Sequence, residues 1–498
     1  MLHEAMTLHQ QGRLDAADAL YVRVLAANPK HLQALRLRGI LSRQSADYDT
    51  SILLLRRLNQ LAPGDPVPAS ELALTYLASG ELHQAEQALR EALRFDPGSR
   101  QALANLGAVL QRRGHLEEAA KQYAAYLDLE PDDLEVRCNL ANALMEAGHS
   151  ERALVEVDAA LLRAPDHPLM LANKGAVLCG LGRYVAAIEV LEKTCAADTG
   201  DDMALINLAF ARRRCGDTVG AADVLEQAVR INPANARAVA DCANVEMELG
   251  RCDSALRRCA EFLARYPGER LVLNTYIYAL ADTGQCDKSA IILGLDELVT
   301  IVDCAAPNGF DDIVEFNRRL AEFIETHPSL VTEPVRKSTT GGAQTGELNP
   351  AEDPVVAAFV DVIDAAIQQT VDRWQRLDFG DHPVMAYAAD RRALRIWGTV
   401  LEAGGFQLPH THPLGWISGV YYVQIPEDMR SDSPEAGVLE FGMPPEHFYF
   451  ASQPELRCVE PVEGRLVLFP SYCFHRTLPF AADGKRISVA FDVVPLSR

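Results

Sequence analysis

Tryptophan is scarce in this chain, long hydrophobic runs are missing, and positive charge is in deficit. No window approaches the roughly 18 consecutive apolar residues that a membrane-spanning helix needs, so no membrane role is expected. The segment Met1-Leu2-His3-Glu4-Ala5-Met6 has no basic stretch leading into an apolar one, and no secretory signal is expected. Lys and Arg total 47 against 69 Asp and Glu, a net charge of −22. That balance argues against nucleic acid or an anionic membrane as the main partner, since both require a basic footprint. Eleven cysteines, an odd number, include no Cys-x-x-Cys pair. Eight of them (Cys138, Cys179, Cys195, Cys215, Cys242, Cys252, Cys259, Cys286) fall where the sequence reads as helical. Buried, reduced thiols in a cytoplasmic protein are expected, not a disulfide framework.

What is present is the composition of a globular protein. With 498 residues, 48% hydrophobic and 23% charged, the chain can bury enough apolar surface to offset its conformational entropy. It is too long for one domain at about 150 residues each.

Pro29, Pro63, Pro97, Pro131, Pro165, Pro233 and Pro267 lie on a 34-residue grid that only Thr199 interrupts. Twelve residues before each grid point is a small residue: Ala17, Ser51, Ala85, Ala119, Ala153, Ala187, Ala221 and Ala255. Twelve residues earlier another recurs, from Ala5, Gly39 and Ala73 through Gly107, Ala141 and Gly175 to Ala209 and Ala243. Small side chains at those points let two helices of a pair approach closely, and proline ends the second helix because it cannot continue one. This pattern resembles the tetratricopeptide repeat, with eight full repeats and a degenerate ninth around Gly284. The expectation is an all-α superhelix over residues 1–300 with a groove for an extended peptide or partner protein. The bland alternative is a rigid scaffold.

After residue 300 the grid disappears, and all three tryptophans (Trp374, Trp397, Trp416) lie in this second part. Helices are expected over Ile313 to Thr326 and about Pro354 to Leu377, with the glycine-rich run 338–346 irregular between them. Short runs of β-branched and aromatic residues follow: 392–397, 415–423, 437–441, 465–469 and 486–494. Broken by proline and glycine, they suggest a jelly-roll-like double sheet over residues 301–498.

Three of the thirteen histidines stand out. His410 and His412 precede the second strand run; at i and i+2 on an extended segment they project to the same side. His475 follows the 465–469 strand, and three imidazoles could hold one metal ion with coordination positions left open. Arg486 and Ser488 open the last strand and could hold a carboxylate through charge-assisted and hydroxyl hydrogen bonds.

Taken together, His410-Thr411-His412-Pro413, Trp416 to Val423, Gly464 to Ser471 leading to His475, and Arg486-Ile487-Ser488 resemble the bacterial 2-oxoglutarate/Fe(II)-dependent oxygenases. Thr339-Thr340-Gly341-Gly342-Ala343-Gln344 also resembles family sequence and places the domain start upstream of it. The resemblance implies a double-stranded β-helix that uses Fe(II), 2-oxoglutarate and O2, usually to hydroxylate its substrate. It implies iron on His412 and His475 with His410 ligating or close by. It further implies 2-oxoglutarate on Arg486, helped by Ser488 or Tyr422. Joined to the repeats, such a domain is expected to act on a protein or peptide substrate held in their groove. Trp416 is a weak substrate-contact candidate, with sheet packing as its plainer role.

The usual two-histidine, one-carboxylate ligand set is not met. If His410 is the first ligand, the carboxylate slot holds His412 and the site has three histidines. If His412 is first, the slot falls on Leu414 and two ligands remain, as in the aspartyl/asparaginyl β-hydroxylases. Two further readings stay open. A cupin-type metalloenzyme acting on a small molecule fits His410-x-His412 and His475 but lacks the expected glutamate between Pro413 and Ser418 and leaves Arg486 unexplained. A non-catalytic repeat adaptor with a decayed oxygenase domain would have no reason to keep the three histidines and Arg486.

Overall fold

The computed structural model describes the whole chain except residues 197–199, 333–337, 352, 378–381, 388–391, 432 and 496–498. Thr199, which breaks the proline grid, lies outside the described residues. Two compact units result, Met1–Pro165 and Asp166–Arg498.

The first unit holds five antiparallel helix pairs: α1 (Leu2–Gln10) with α2 (Leu14–Ala27), α3 (Leu32–Gln44) with α4 (Tyr48–Leu61), α5 (Pro66–Ser79) with α6 (Leu82–Phe95), α7 (Arg100–Arg112) with α8 (Leu116–Leu129), and α9 (Leu134–Glu146) with α10 (Ser150–Arg163). The second unit opens with four more: α11 (Pro168–Gly180) with α12 (Tyr184–Ala196), α13 (Asp202–Arg214) with α14 (Thr218–Ile231), α15 (Ala236–Glu248) with α16 (Cys252–Leu263), and α17 (Arg270–Asp282) with α18 (Cys286–Leu293). The small residues do the work expected of them. From Ala17 to Ala255, all eight at the second-helix position are fully buried. A Cβ added to Gly107 would sit 2.6 Å from the Tyr123 ring, too close for the α7–α8 pair to keep its spacing.

The turn between the helices of each pair requires a positive φ, supplied by glycine from Gly12 (72°) to Gly284 (79°) at 34-residue intervals. Ala46 takes this slot in the second pair with φ 59°, alone among the described non-glycine residues in having a positive φ. An L-residue in that region costs about 1 kcal/mol that glycine avoids.

Beyond α19 (Leu295–Leu298) come α20 (Ile313–Thr326), α21 (Pro354–Arg376) and ten strands: β1 (Thr300–Asp303), β2 (Val331–Thr332), β3 (Thr339–Gln344), β4 (Arg392–His410), β5 (Ile417–Gln424), β6 (Leu439–Phe441), β7 (Arg457–Val459), β8 (Arg465–Pro470), β9 (His475–Thr477) and β10 (Arg486–Pro495). They form one curled antiparallel sheet, ordered β1-β8-β5-β10-β4-β9-β6-β7, with β3 also on β4 and β2 on β3. It is the jelly-roll-like domain expected, carried by a single hydrogen-bonded path. The glycine-rich run is strand β3, not an irregular segment. A Cβ on Gly342 would lie 2.3 Å from the Val400 carbonyl oxygen, so glycine here permits close pairing with β4.

One sheet face is covered by α20 and α21. The Phe316 and Phe359 rings lie 6.2 and 5.2 Å from Tyr421, whose hydroxyl donates to Asn317 Oδ1 at 2.7 Å. Helix α21 is long and apolar enough to cross a bilayer, but Val356, Phe359, Ile363, Ile367 and Trp374 form a stripe buried in this core.

A continuous core joins Val239, Met247, Val272, Ile277 and Leu298 to Phe316, Trp374, Tyr421, Phe469 and Phe474, so the last repeats and the β domain share one apolar interior. Two local expectations also change. Cys215 and Cys286 are exposed, although Cys138, Cys179, Cys242 and Cys259 are buried and all eleven thiols are free. His382, which a position in an irregular segment would place on the surface, is buried; it accepts from Val384 N and faces the Ile291 carbonyl, and burial lowers its pKa.

Two outcomes test these points. Residues 166–498 are expected to unfold in one cooperative thermal transition, whereas 301–498, stripped of the part of this core that the last repeats supply, should give none. Ala46→Gly should raise stability by about 1 kcal/mol, read as a shifted urea midpoint with unchanged slope.

Candidate metal and carboxylate site

The site is built on alternate residues of β10. Arg486, Ser488, Ala490 and Asp492 share one face of that strand, while Ile487, Val489, Phe491 and Val493 point to the helix-covered side. Register with both neighbours carries the polar face across the sheet: Ser488 is opposite Thr399 on β4 and Tyr422 on β5, and Asp492 is opposite Ser418.

At one end of this face three imidazoles meet. His410 ends β4, His412 follows in the turn, and His475 opens β9 directly opposite His410. Ring centroids are 4.3 Å apart for His410 and His475, 5.0 Å for His412 and His475, and 5.1 Å for His410 and His412. One nitrogen from each lies within 4.8 Å of the others, a spacing one ion can bridge. Each Nδ1 is occupied elsewhere. His410 Nδ1 is 2.7 Å from the Leu408 carbonyl, His475 Nδ1 is 3.1 Å from the Cys473 carbonyl, and His412 Nδ1 is 2.6 Å from Asp492 Oδ1. A proton on each Nδ1 satisfies these acceptors and makes the Nε2 atoms the candidate donors to an ion, that of His410 lying 3.3 Å from the Ser338 hydroxyl. Burial, reinforced by His412, lowers the His410 pKa to about 3; burial and the other two rings push His475 well below its ordinary value. Both are therefore neutral, the form that ligates.

Asp492 is 6% exposed, the one carboxylate on β10. Burial alone would raise its pKa, but His412 and the Ser418 hydroxyl, which donates at 2.7 Å, hold it below the ordinary carboxylate value. Among the described residues no carboxylate stands with the three nitrogen donors; the negative charge of Asp492 sits one hydrogen bond further out, orienting His412.

Further along the same face, Arg486 is 1% exposed, and among the described residues its Nε and Nη1 have no hydrogen-bond partner. Among the described residues no carboxylate pairs with it. Its guanidinium lies 5.1 Å from the centre of the Tyr422 ring and interacts with that buried hydroxyl, and among the described residues Thr399 Oγ1 also lacks a partner. A buried cation with unused donors is expensive to maintain unless an anion completes it.

The family described as "Putative 2OG-Fe(II) oxygenase" matches residues 395–492, and tetratricopeptide-repeat families match 2–66, 42–110, 110–175 and 213–276. This chain carries tetratricopeptide repeats and, over 395–492, a segment that matches that oxygenase family. No curated protein matches it. Similar solved structures include a tetratricopeptide repeat protein from Parabacteroides merdae, at 19% identity over 45% of this chain and 90% of that one, with TM-score 0.39. Yeast Tom70 is similar at 14% identity over 57% of this chain and 60% of that one, with TM-score 0.42. YrrB, titled a TPR protein with an unusual peptide-binding site, is similar at 18% identity over 37% and 95%, with TM-score 0.31.

Within the oxygenase domain the structure brings His410, His412 and His475 together, and Arg486, Ser488 and Tyr422 onto one adjoining patch. Leu414, the alternative ligand slot, is an exposed leucine beside the site. Trp416 does not belong to the site: it packs 6.4 Å from Trp374 and its indole nitrogen donates to the Val384 carbonyl at 2.6 Å. The tryptophan at the metal site is instead Trp397, stacked on His412 at 5.6 Å and 24°. Asp492, Thr399 and Trp397 escaped sequence reading; the one available signal was a lone carboxylate in the apolar run Ile487 to Val494.

Asp492→Asn keeps the shape but removes the charge behind His412. Metal affinity is expected to fall by roughly 10- to 100-fold, measured by titrating the metal-free protein calorimetrically. Unchanged affinity would exclude a supporting role for Asp492.

Proposed function

We propose that this protein is an Fe(II)- and 2-oxoglutarate-dependent dioxygenase that hydroxylates a protein or peptide recruited by its repeats. The observation that carries this reading is the shared sheet face: a triad of imidazoles at one end and, at the other, a buried Arg486 with no carboxylate partner among the described residues. The residues present fit both groups. Imidazole nitrogens suit Fe(II), and the donors of Arg486, Tyr422 and Thr399 suit a carboxylate held bidentately. When bound, these groups supply oxidative decarboxylation of 2-oxoglutarate to succinate and CO2, coupled to hydroxylation of a substrate C–H bond.

The chain's own part is binding and orientation. Arg486 provides charge for the distal carboxylate, with Tyr422 and Ser488 beside it. Asp492 fixes the His412 ring and its tautomer, while Trp397 limits its rotation. Phe469, 4.6 Å from His475, and Phe441, 6.2 Å from it, keep that imidazole in an apolar setting. A cupin assignment accounts for the histidines but gives Arg486 no counterion.

Tetratricopeptide repeats bring proteins together, and an array joined to an oxygenase raises the local concentration of a captured substrate. Recruitment falls to the earlier repeats, because the chain itself covers part of the last two. Asn244 of α15 exchanges two hydrogen bonds with the Tyr449 main chain, and Asp282 of α17 accepts from Ala451 N and Ser452 N.

The test is turnover of 2-oxoglutarate to succinate by anaerobically reconstituted protein after O2 is admitted. Arg486→Ala is expected to retain the metal and to raise the 2-oxoglutarate requirement by about 100-fold or more, consistent with losing a charge-assisted buried contact of about 3 kcal/mol. Wild-type behaviour of Arg486→Ala would refute the cosubstrate assignment. Absence of turnover in metal-loaded wild-type protein would favour the adaptor reading.

A further inference from the structure

We infer that α17, a helix of the repeat array, is a positioning element for the metal site. Three of its residues, Arg270, Asn274 and Tyr278, stand at i, i+4 and i+8 and so form one stripe along the helix. Each holds the main chain beside a histidine. Arg270 Nε donates to the Pro413 carbonyl at 2.7 Å and Nη2 to the Leu414 carbonyl at 3.3 Å, the two residues that follow His412. Asn274 Nδ2 donates to the Tyr472 carbonyl at 2.7 Å, three residues before His475. The Tyr278 hydroxyl donates to the Gly442 carbonyl at 2.7 Å, and Gly442 N in turn donates to the carbonyl of Phe474, the residue before His475.

The Asn274 and Tyr278 contacts are buried, while those of Arg270 lie at the surface. Asn274 and Tyr278 are 5% and 4% exposed. The Tyr278 ring packs against Phe474 at 5.7 Å and Phe448 at 5.3 Å. The two histidine loops are also tied to each other, since His412 N donates to the Ser471 carbonyl at 3.0 Å. Neither loop is held by strand pairing where α17 grips it: Pro413 and Leu414 lie between β4 and β5, and Tyr472 lies between β8 and β9. Hydrogen bonds from the α17 stripe take the place of a ladder there, so its placement bears on where His412 sits relative to His410 and His475, which are paired across β4 and β9. A metal site tolerates little error in that placement.

This inference rests on the reading that His410, His412 and His475 hold a metal. The test uses the full chain and Co(II) alone, followed by calorimetry and by the visible absorption that reports Co(II) geometry. Asn274→Asp keeps the size of the side chain while removing the donor to Tyr472, and Tyr278→Phe keeps the ring while removing the donor to Gly442. Both are expected to weaken Co(II) binding about tenfold or more and to change the spectrum. Leu205→Ala, a buried change on α13, provides a variant of lowered melting temperature whose Co(II) affinity and spectrum should match wild type. Wild-type affinity and spectrum in both α17 variants would overturn the positioning role, as would equal weakening in Leu205→Ala. If Asn274→Asp does not fold, Tyr278→Phe alone decides between these outcomes. Failure of the wild-type chain to bind Co(II) would instead overturn the metal reading, and this inference with it.

Discussion

The antiparallel register of β10 between β4 and β5 is the constraint on which the site depends. Side chains alternate across a strand, so a slip of one residue would turn Arg486, Ser488 and Asp492 toward the helices and Ile487, Val489 and Phe491 inward. Close packing on the helix-covered side opposes such a slip. A Cβ on Gly419 would lie 2.3 Å from the Phe491 ring, and one on Gly398 would lie 2.6 Å from Ile324. Apolar packing on one face therefore fixes which polar groups meet on the other.

The polar face is arranged as two different problems in burial. At the histidine end every Nδ1 has an acceptor, and the Asp492 carboxylate is matched by His412 and Ser418. At the Arg486 end, Nε and Nη1 are left without partners among the described residues. A stable interior normally satisfies buried polar groups, so this contrast within one sheet face separates structural scaffolding from a place kept for a ligand.

Repeats and β domain are distinct in sequence but continuous in packing. The helix pairs from α11 onward belong to the same compact unit as the sheet, and the shared core begins at Val239. Repeat stability comes mainly from neighbouring helix pairs, and in the last repeats the β domain serves as that neighbour. Asn244, Asn274, Tyr278 and Asp282 accordingly hydrogen-bond the oxygenase main chain.

The sequence by itself determined the repeats, because a 34-residue period and eight small residues in register reflect a contact made locally within each helix pair. It also determined the chemistry available, since His410, His412, His475 and Arg486 are the residue types that bind metal and carboxylate. Ala46 shows a limit even there, as a glycine slot filled by alanine is visible only once its φ is known. Only tertiary structure decided that β3 is a strand, that Trp397 and not Trp416 stacks on the metal site, and that Asp492 stands behind His412. It alone placed the end of the repeat array inside the core of the β domain. Those features depend on strand register and on contacts between residues as much as 205 positions apart, such as Asn244 with Tyr449, and no local pattern encodes such distances.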